Sequence, residues 1–320
     1  MEFKSFCEQV VSVMSERHPE CDVKTCKVDK NNGVTYNCLN IICPGSKISE
    51  VIYLEPMYEA FKDGASFMEI IDRVEDARKK SGDKHFEVGY YRDFDKVRDR
   101  VRMKLVNYKK NKEYIEGFPH RRFKDLAVLY YSKVSDKAFE GIIMIKNDHV
   151  SLWNISEEDL YEAACLNAMK SGDYELVPMM SVLDDVFGYI MSGRREAQDD
   201  GSEGEAKEDD QIPFLKILTN KDKTYGASVM LNPGLLCALA RKYDRNFYIL
   251  PSSVHELILV LDENESFDEN IAAELYNMVR YVNMTEVETE DVLSDNVYYY
   301  DRSLDEVLDY YEIALKTGLA

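Results

Sequence analysis

Residues 246–261 read NFYILPSSVHELILVL, two apolar runs separated by a Pro251-Ser252-Ser253 step. Aromatic and β-branched residues fill the runs and the Pro/Ser cluster is a turn signal, so the stretch predicts a strand, a turn and a returning strand. Its polar residues raise a chemical question. Ser252, Ser253, His255 and Glu256 lie within five positions, and a serine, a base and an orienting acid are the parts of a nucleophilic triad. His255 and Glu256, however, are neighbours at a strand start, where alternation sends them to opposite faces. The local trio fails that test, and no G-x-S-x-G elbow occurs to hold a strained serine. A hydrogen-bonded turn is the expected role. A ligand-contacting His255 would have to take partners from elsewhere in the fold.

Around this hairpin the pattern continues in short elements. PFLKILTN (213–220) and YGASVML (225–231) predict strands, and NPGLLCALARKY (232–243) a helix. A helix carrying Ile271, Leu275, Met278, Val279 and Val282, a strand NVYYYD (296–301) and a capped helix from Ser303 follow. On the N-terminal side FKDLAVLYYSKV (123–134) and GIIMIKN (141–147) read as buried strands. Ser156-Glu157-Glu158-Asp159 caps a helix reaching about Lys170, and MMSVLDDVFGYIM (179–191) predicts another.

The first third is mainly helical. Phe3, Phe6, Cys7, Val10, Val13 and Met14 form one helical stripe, and residues 22–43 predict a hairpin about Asn31-Asn32-Gly33. EVIYLEPMYEAFKDG (50–64) reads as a strand entering a helix with Pro56 at its first position, and Ser66 with Glu69 forms a capping box. Residues 93–116 place Phe94, Val97, Val101, Leu105 and Tyr108 on one line and Lys96, Arg100 and Lys104 on another, predicting a helix with an apolar and a basic face. The expected class is α+β, with an N-terminal domain 1–118 and a second domain 119–320 on an antiparallel or mixed sheet. Residues 192–211 carry eight acids, three bases and no apolar side chain larger than Ala, so they predict a disordered acidic insertion in the second domain.

Cys21, Cys26, Cys38 and Cys43 invite a metal reading. With a three-residue loop and Gly33 left-handed, Lys30 opposes Val34, so Cys26 faces Cys38 and Cys21 faces Cys43. The two pairs fall on opposite faces about 16 Å apart at about 3.3 Å per residue, which excludes one tetrahedral zinc. Seven cysteines without a secretion signal favour packed, reduced thiols, and the opposed positions leave a cross-strand disulfide open.

Several segments together resemble an uncharacterised bacterial family, domain of unknown function 5688. They include NNGVTYNCLNI (31–41), IYLEPMYEAFKDG (52–64), PHRRFKDLAVLYY (119–131), NDHVSLWNISEEDLYEAA (147–164), LTNKDKTYGASVMLNPGLL (218–236) and VLSDNVYYYD (292–301). The half from Phe123 on is also distantly similar to domain of unknown function 1444. Neither resemblance implies a catalytic residue, ligand or cofactor.

Composition narrows the function classes. The formal net charge of −20 opposes binding of the whole chain to nucleic acid or anionic lipid. No apolar run approaches a membrane span and the charged N-terminus lacks a signal-peptide core, so a cytoplasmic protein is expected. His18, His85, His120, His149 and His255 are scattered, and zinc-protease, phosphate-loop and dinucleotide motifs are absent, so no metal or cofactor is expected. Residues 92–124 nevertheless hold twelve Lys or Arg against five acids. Within them His120, Arg121 and Arg122 are anion-binding candidates beside Lys96, Arg100 and Lys104, because adjacent arginines can clamp carboxylate or phosphate.

The best-fitting function is a non-enzymatic interaction or regulatory protein. Its basic segment binds an anionic partner, a protein or a small ligand, and is screened by the acidic insertion. The alternative is a hydrolase or transferase acting on an anionic small molecule, with Arg121, Arg122 and His255 converging. Oligomeric state carries no signal in the sequence.

Overall fold

The computed structural model describes residues 1–44, 50–81, 90–136, 139–178, 215–251, 253–263, 266–310 and 312–313. The acidic insertion 192–211, the helix expected at 179–191 and Ser252 lie outside the described residues.

The chain is α+β, and its named strand pairs are antiparallel. The first layer pair is local. Helix Phe3–Arg17 turns its buried Phe6, Cys7, Val10 and Met14 onto strands β1 (Asp22–Asp29), β2 (Thr35–Ile42) and β3 (Glu50–Tyr53). Helices Leu54–Lys62 and Phe67–Ser81 close this core, which ends at Ile70, Ile71 and Val74. Pro56 is the third helical residue, not the first. The reason it is tolerated is unchanged, because first-turn amides have no intrahelical acceptor. Ser66 and Glu69 exchange both capping-box bonds at 3.2 and 2.7 Å.

The β1–β2 register pairs Cys26 with Cys38 as expected, and Asn32 and Gly33 turn the corner at φ 60° and 75°. The thiols depart from the reduced reading. Cys21 and Cys43 form a disulfide, whereas Cys26 and Cys38 stay free although they face each other. Register parity accounts for the choice. Lys30 N–H donates to Val34 O, so even-numbered positions of β1, Cys26 included, sit at hydrogen-bonded pairs with Cα atoms about 5.5 Å apart. Cys21 has the opposite parity, and its Cα lies 4.2 Å from that of Cys43.

Residues 93–116 are not the expected helix. Helix Phe94–Val97 and a 3-10 turn Arg98–Arg100 lead into strand β4 (Val101–Asn107), and a short helix Lys112–Ile115 follows. Spacings of four residues (97, 101, 105) fit a helix face, but 101, 103 and 105 equally share one face of a strand. The strand wins because it is buried on both sides. Val101, Met103 and Leu105 enter the main core while Val106 packs with Ile115, Phe118, Ala127 and Leu129 on the other face. β4 pairs along its length with β6 (Leu126–Asp136), which carries β5 (Arg121–Phe123) and β7 (Phe139–Met144) on its far side. The boundary expected after residue 118 therefore runs through this sheet.

The third sheet has the order β13-β12-β10-β11-β9-β8, with the opening hairpin as β10 (Phe247–Leu250) and β11 (Leu257–Leu261) at its centre. β8 is Glu175–Pro178, β9 Leu215–Thr219, β12 Tyr298–Asp301 and β13 Glu306–Leu308. Alternation divides β10 and β12 between two layers. Phe247, Ile249, Tyr298 and Tyr300 face the core shared with β4, β6 and helix Glu157–Ser171, while Tyr248, Leu250 and Tyr299 face helix Glu269–Thr285. Trp153 closes the shared core as expected of a packed indole, donating from Nε1 to Tyr91 O at 3.0 Å.

Two further expectations fail locally. YGASVML is a 3-10 helix, Gly226–Leu231, entered by Tyr225 at φ 53°. A Cβ on Gly226 would overlap Thr219 Oγ1 and His255 O and lie 2.8 Å from Asn220 N, so only glycine permits this approach. After Asp301, whose carboxylate accepts from Ser303 and Leu304 N–H, the chain forms a turn and β13, not a helix from Ser303. The helical capping box comes later, between Asp309 and Glu312.

Candidate functional site

The hairpin tip of the N-terminal layer docks on the far end of the chain, and the groups gathered there form the main polar cluster. Asn31 Nδ2 donates to Glu290 O, and Asn32 Nδ2 donates to Thr289 O at 2.8 Å and Val292 O at 2.7 Å. Asn111, buried after β4, accepts from Asn32 N–H and donates to its Oδ1, completing an amide pair. Lys104 on β4 points into the junction, donates to Asn31 Oδ1 at 3.1 Å and lies 4.2 Å from the centre of the Tyr225 ring. Burial, with Lys30 adding repulsion, lowers its pKa to about 8.

Tyr225 links Lys104 to His255. Its ring stacks on the imidazole at 5.7 Å, and its backbone N–H donates to His255 Nδ1 at 3.2 Å. Because Nδ1 accepts, the ring proton sits on Nε2, which donates to Asp291 Oδ1 at 3.2 Å. Ser253 Oγ accepts from His255 N–H, and His255 O accepts from Thr219 Oγ1. Glu256 is exposed. Ser253 Oγ is taken up by a backbone N–H and the imidazole by a backbone N–H and the Asp291 carboxylate, and among the described residues no nucleophile touches the base. His255 works as a fastener between the 225 turn and the 291 turn.

The anion-binding candidates separate. Arg121 is occupied: Nε and Nη2 clamp Glu157 at 2.8 and 2.9 Å, Nη2 also meets Glu158, and the guanidinium lies 3.6 Å from the Tyr161 ring centre. The hydrogen bond that Arg121 donates to Glu157 holds the guanidinium charged well above any working pH. His120 Nδ1 bonds Phe118 O. Lys96 is exposed beside Asp93 on the short helix, Arg100 is half-buried in the 3-10 turn, and Lys104 is buried on the strand, so the three share no face. His255 and Arg121 have no contacting residue in common among the bonds above.

Arg122 differs. Its Nε donates to Lys124 O and its exposed guanidinium lies 5.0 Å from the Tyr108 ring centre, at the end of β4. The next residues, Lys109, Lys110 and Lys112, are exposed and form no ion pair among the described residues. Tyr108, these lysines and Arg122 make one basic ledge at the end of the β4–β6–β5 sheet. Its lysines lie in the basic segment seen in the sequence, but the helix reading hid the turn that groups them. Tyr225 and Asp291 had no local signal at all, because only tertiary contacts bring them to His255.

Among the described residues, the side chains that approach a metal-ligand cluster are Glu20, Cys21 and Cys43, whose sulfurs are joined in the disulfide. No helix among the described residues is long and apolar enough to cross a membrane. No curated protein and no solved structure matches the chain. A family model described as a family of unknown function (DUF5688) matches residues 3–302, as expected from the sequence, whereas the similarity to domain of unknown function 1444 is not shown. The chain therefore belongs to the DUF5688 family.

Proposed function

We propose that this protein is a non-catalytic interaction protein whose basic ledge, Lys109, Lys110, Lys112 and Arg122 around Tyr108, binds an acidic segment of a protein partner. The observation that carries the proposal is the set of exposed lysines without acid partners among the described residues, in a chain of net charge −20. Other cations of that segment meet carboxylates locally: Arg121 two glutamates, Lys124 Glu312, Lys96 Asp93 and Arg98 Asp95. Arg122 stacked on Tyr108 keeps its terminal amino groups for carboxylate, and an aromatic base holds it in place without consuming charge. A nucleic acid would meet the same ledge but would be repelled by the remaining surface.

The acidic residues 192–211 serve in this reading as an internal competitor for the ledge. Fluorescence anisotropy with a labelled polyglutamate peptide tests both parts. Binding should weaken as salt shortens the screening length to about 8 Å near physiological ionic strength, and deletion of 192–211 should strengthen it. Unchanged binding on deletion removes the competitor, and absence of binding in both proteins removes the ledge as a docking site.

A further inference from the structure

A cleft lies between helix Glu157–Ser171, strands β4 and β6, and the segment from Asn220 to Asn232 that contains the 3-10 helix. Its polar lining includes Arg102, Tyr131, Asp173, Asn220, Ser228 and Asn232. Arg102 is anchored at one end only. Nη1 donates to Asp99 O at 3.3 Å and Val101 O at 3.0 Å, which fixes the guanidinium plane. On the opposite edge Nε is buried with no hydrogen-bond partner, and no bond engages Nη2 among the described residues. That Nε and Nη2 edge is the fork with which Arg121 clamps Glu157 elsewhere in this molecule.

The other lining groups sort into used and unused. Asn220 is spent on its own loop, donating to Thr224 O and accepting from Thr224 N–H, and Ser228 Oγ donates to Tyr225 O. Asp173 is committed to Lys133 at 3.8 Å and to Lys221 N–H. Tyr131 is 1% exposed, and its hydroxyl has no hydrogen bond among the described residues. Burial raises its pKa, so the hydroxyl stays protonated and able to donate. The Asn232 side chain is also unengaged among the described residues.

A guanidinium edge with its Nε buried, the hydroxyl of a buried tyrosine and a carboxamide are thus left with donors to spend, around space. A buried donor without a hydrogen-bond partner is destabilising, which favours an acceptor in the cleft. We propose that the cleft at Arg102 binds a small carboxylate, held bidentately by Arg102 Nε and Nη2 and capped by the Tyr131 hydroxyl and Asn232. A two-oxygen acceptor matches the planar fork. This site is separate from the ledge and goes beyond the proposed docking function.

The test uses the full chain and sodium acetate, with sodium chloride at matched ionic strength and inorganic phosphate as comparators. Thermal midpoint and the Arg102 Nε–H resonance are read together. Acetate should raise the midpoint saturably and shift that resonance. Arg102→Lys, which keeps charge but not the fork, should weaken binding by about tenfold, and Tyr131→Phe severalfold. Charge reversal at Lys109, Lys110 and Lys112 should leave the acetate response unchanged. A response no larger than that to chloride, one preserved in Arg102→Lys, or saturable binding of phosphate alone would each overturn the proposal. If Arg102→Lys loses its fold, the wild-type resonance and Tyr131→Phe still decide.

Discussion

Lys104 is the side chain whose removal has the most informative consequence. It is 5% exposed, and its pKa falls from 10.5 to about 8. Folding therefore disfavours its charged form by roughly 3.5 kcal/mol, at about 1.4 kcal/mol for each tenfold change in acidity. Lys104→Met removes that cost at neutral pH. It also removes the Nζ donor to Asn31 Oδ1 and the cation over the Tyr225 ring, which together offset about 1–4 kcal/mol. The net change at neutral pH is thus small, and the pH dependence is the decisive quantity. A lysine with a lowered folded-state pKa contributes its full stability above the unfolded value of 10.5, and loses that contribution as pH falls to about 8.

Wild type should therefore gain on Lys104→Met by about 2.5 kcal/mol between about pH 7 and about pH 10, by proton linkage. Lys30, Glu290 and Asp291 face the same amine and are present in both proteins, as are the buried tyrosines, so the difference isolates Lys104. Urea unfolding of both proteins at the two pH values measures it. A difference that does not change with pH would show that Lys104 is solvated and that the hairpin tip does not seal the junction.

Two further outcomes follow from the same architecture. Asn32→Ala removes two carbonyl contacts and the bond from Asn111 Nδ2, and leaves alanine at φ 60°, so it should cost about 2–4 kcal/mol and speed amide exchange at residues 289–292. Asn32→Gly relieves the backbone term alone and should cost less. A thiol assay on the denatured, unreduced chain should find five thiols, Cys7, Cys26, Cys38, Cys165 and Cys237, and a count of seven would refute the Cys21–Cys43 bond.

What could be read from the chain was set by local periodicity. The hairpin at 246–261, the register about Asn32, the caps at Ser66 and Ser156 and the α+β class all rest on signals confined to a few neighbouring residues. Residues 93–116 misled because a four-residue spacing serves a helix and a strand equally, and only a layer on each side of β4 decides between them. YGASVML misled because the constraint on Gly226 comes from Thr219 and His255, remote in sequence.

The polar cluster follows the same division. The Asn31-Asn32-Gly33 turn was legible as a corner, while its role as a clamp on residues 289–292 depends on a contact across most of the chain. The failure of Ser253, His255 and Glu256 as a triad was legible from alternation, and Asp291 and Tyr225 as the partners of His255 were not. Arg122 and the three lysines were present in the basic segment, but a helix would have dispersed the side chains that the turn after β4 collects.

The basic ledge carries the central claim, and charge reversal tests it most directly. Lys109→Glu, Lys110→Glu and Lys112→Glu combined sit on exposed positions outside every core cluster, so the fold should persist by circular dichroism. Polyglutamate affinity at about 50 mM salt should fall by about tenfold or more and its salt dependence should flatten, as expected when rim cations are removed. Affinity and salt slope equal to those of the wild type would contradict the account.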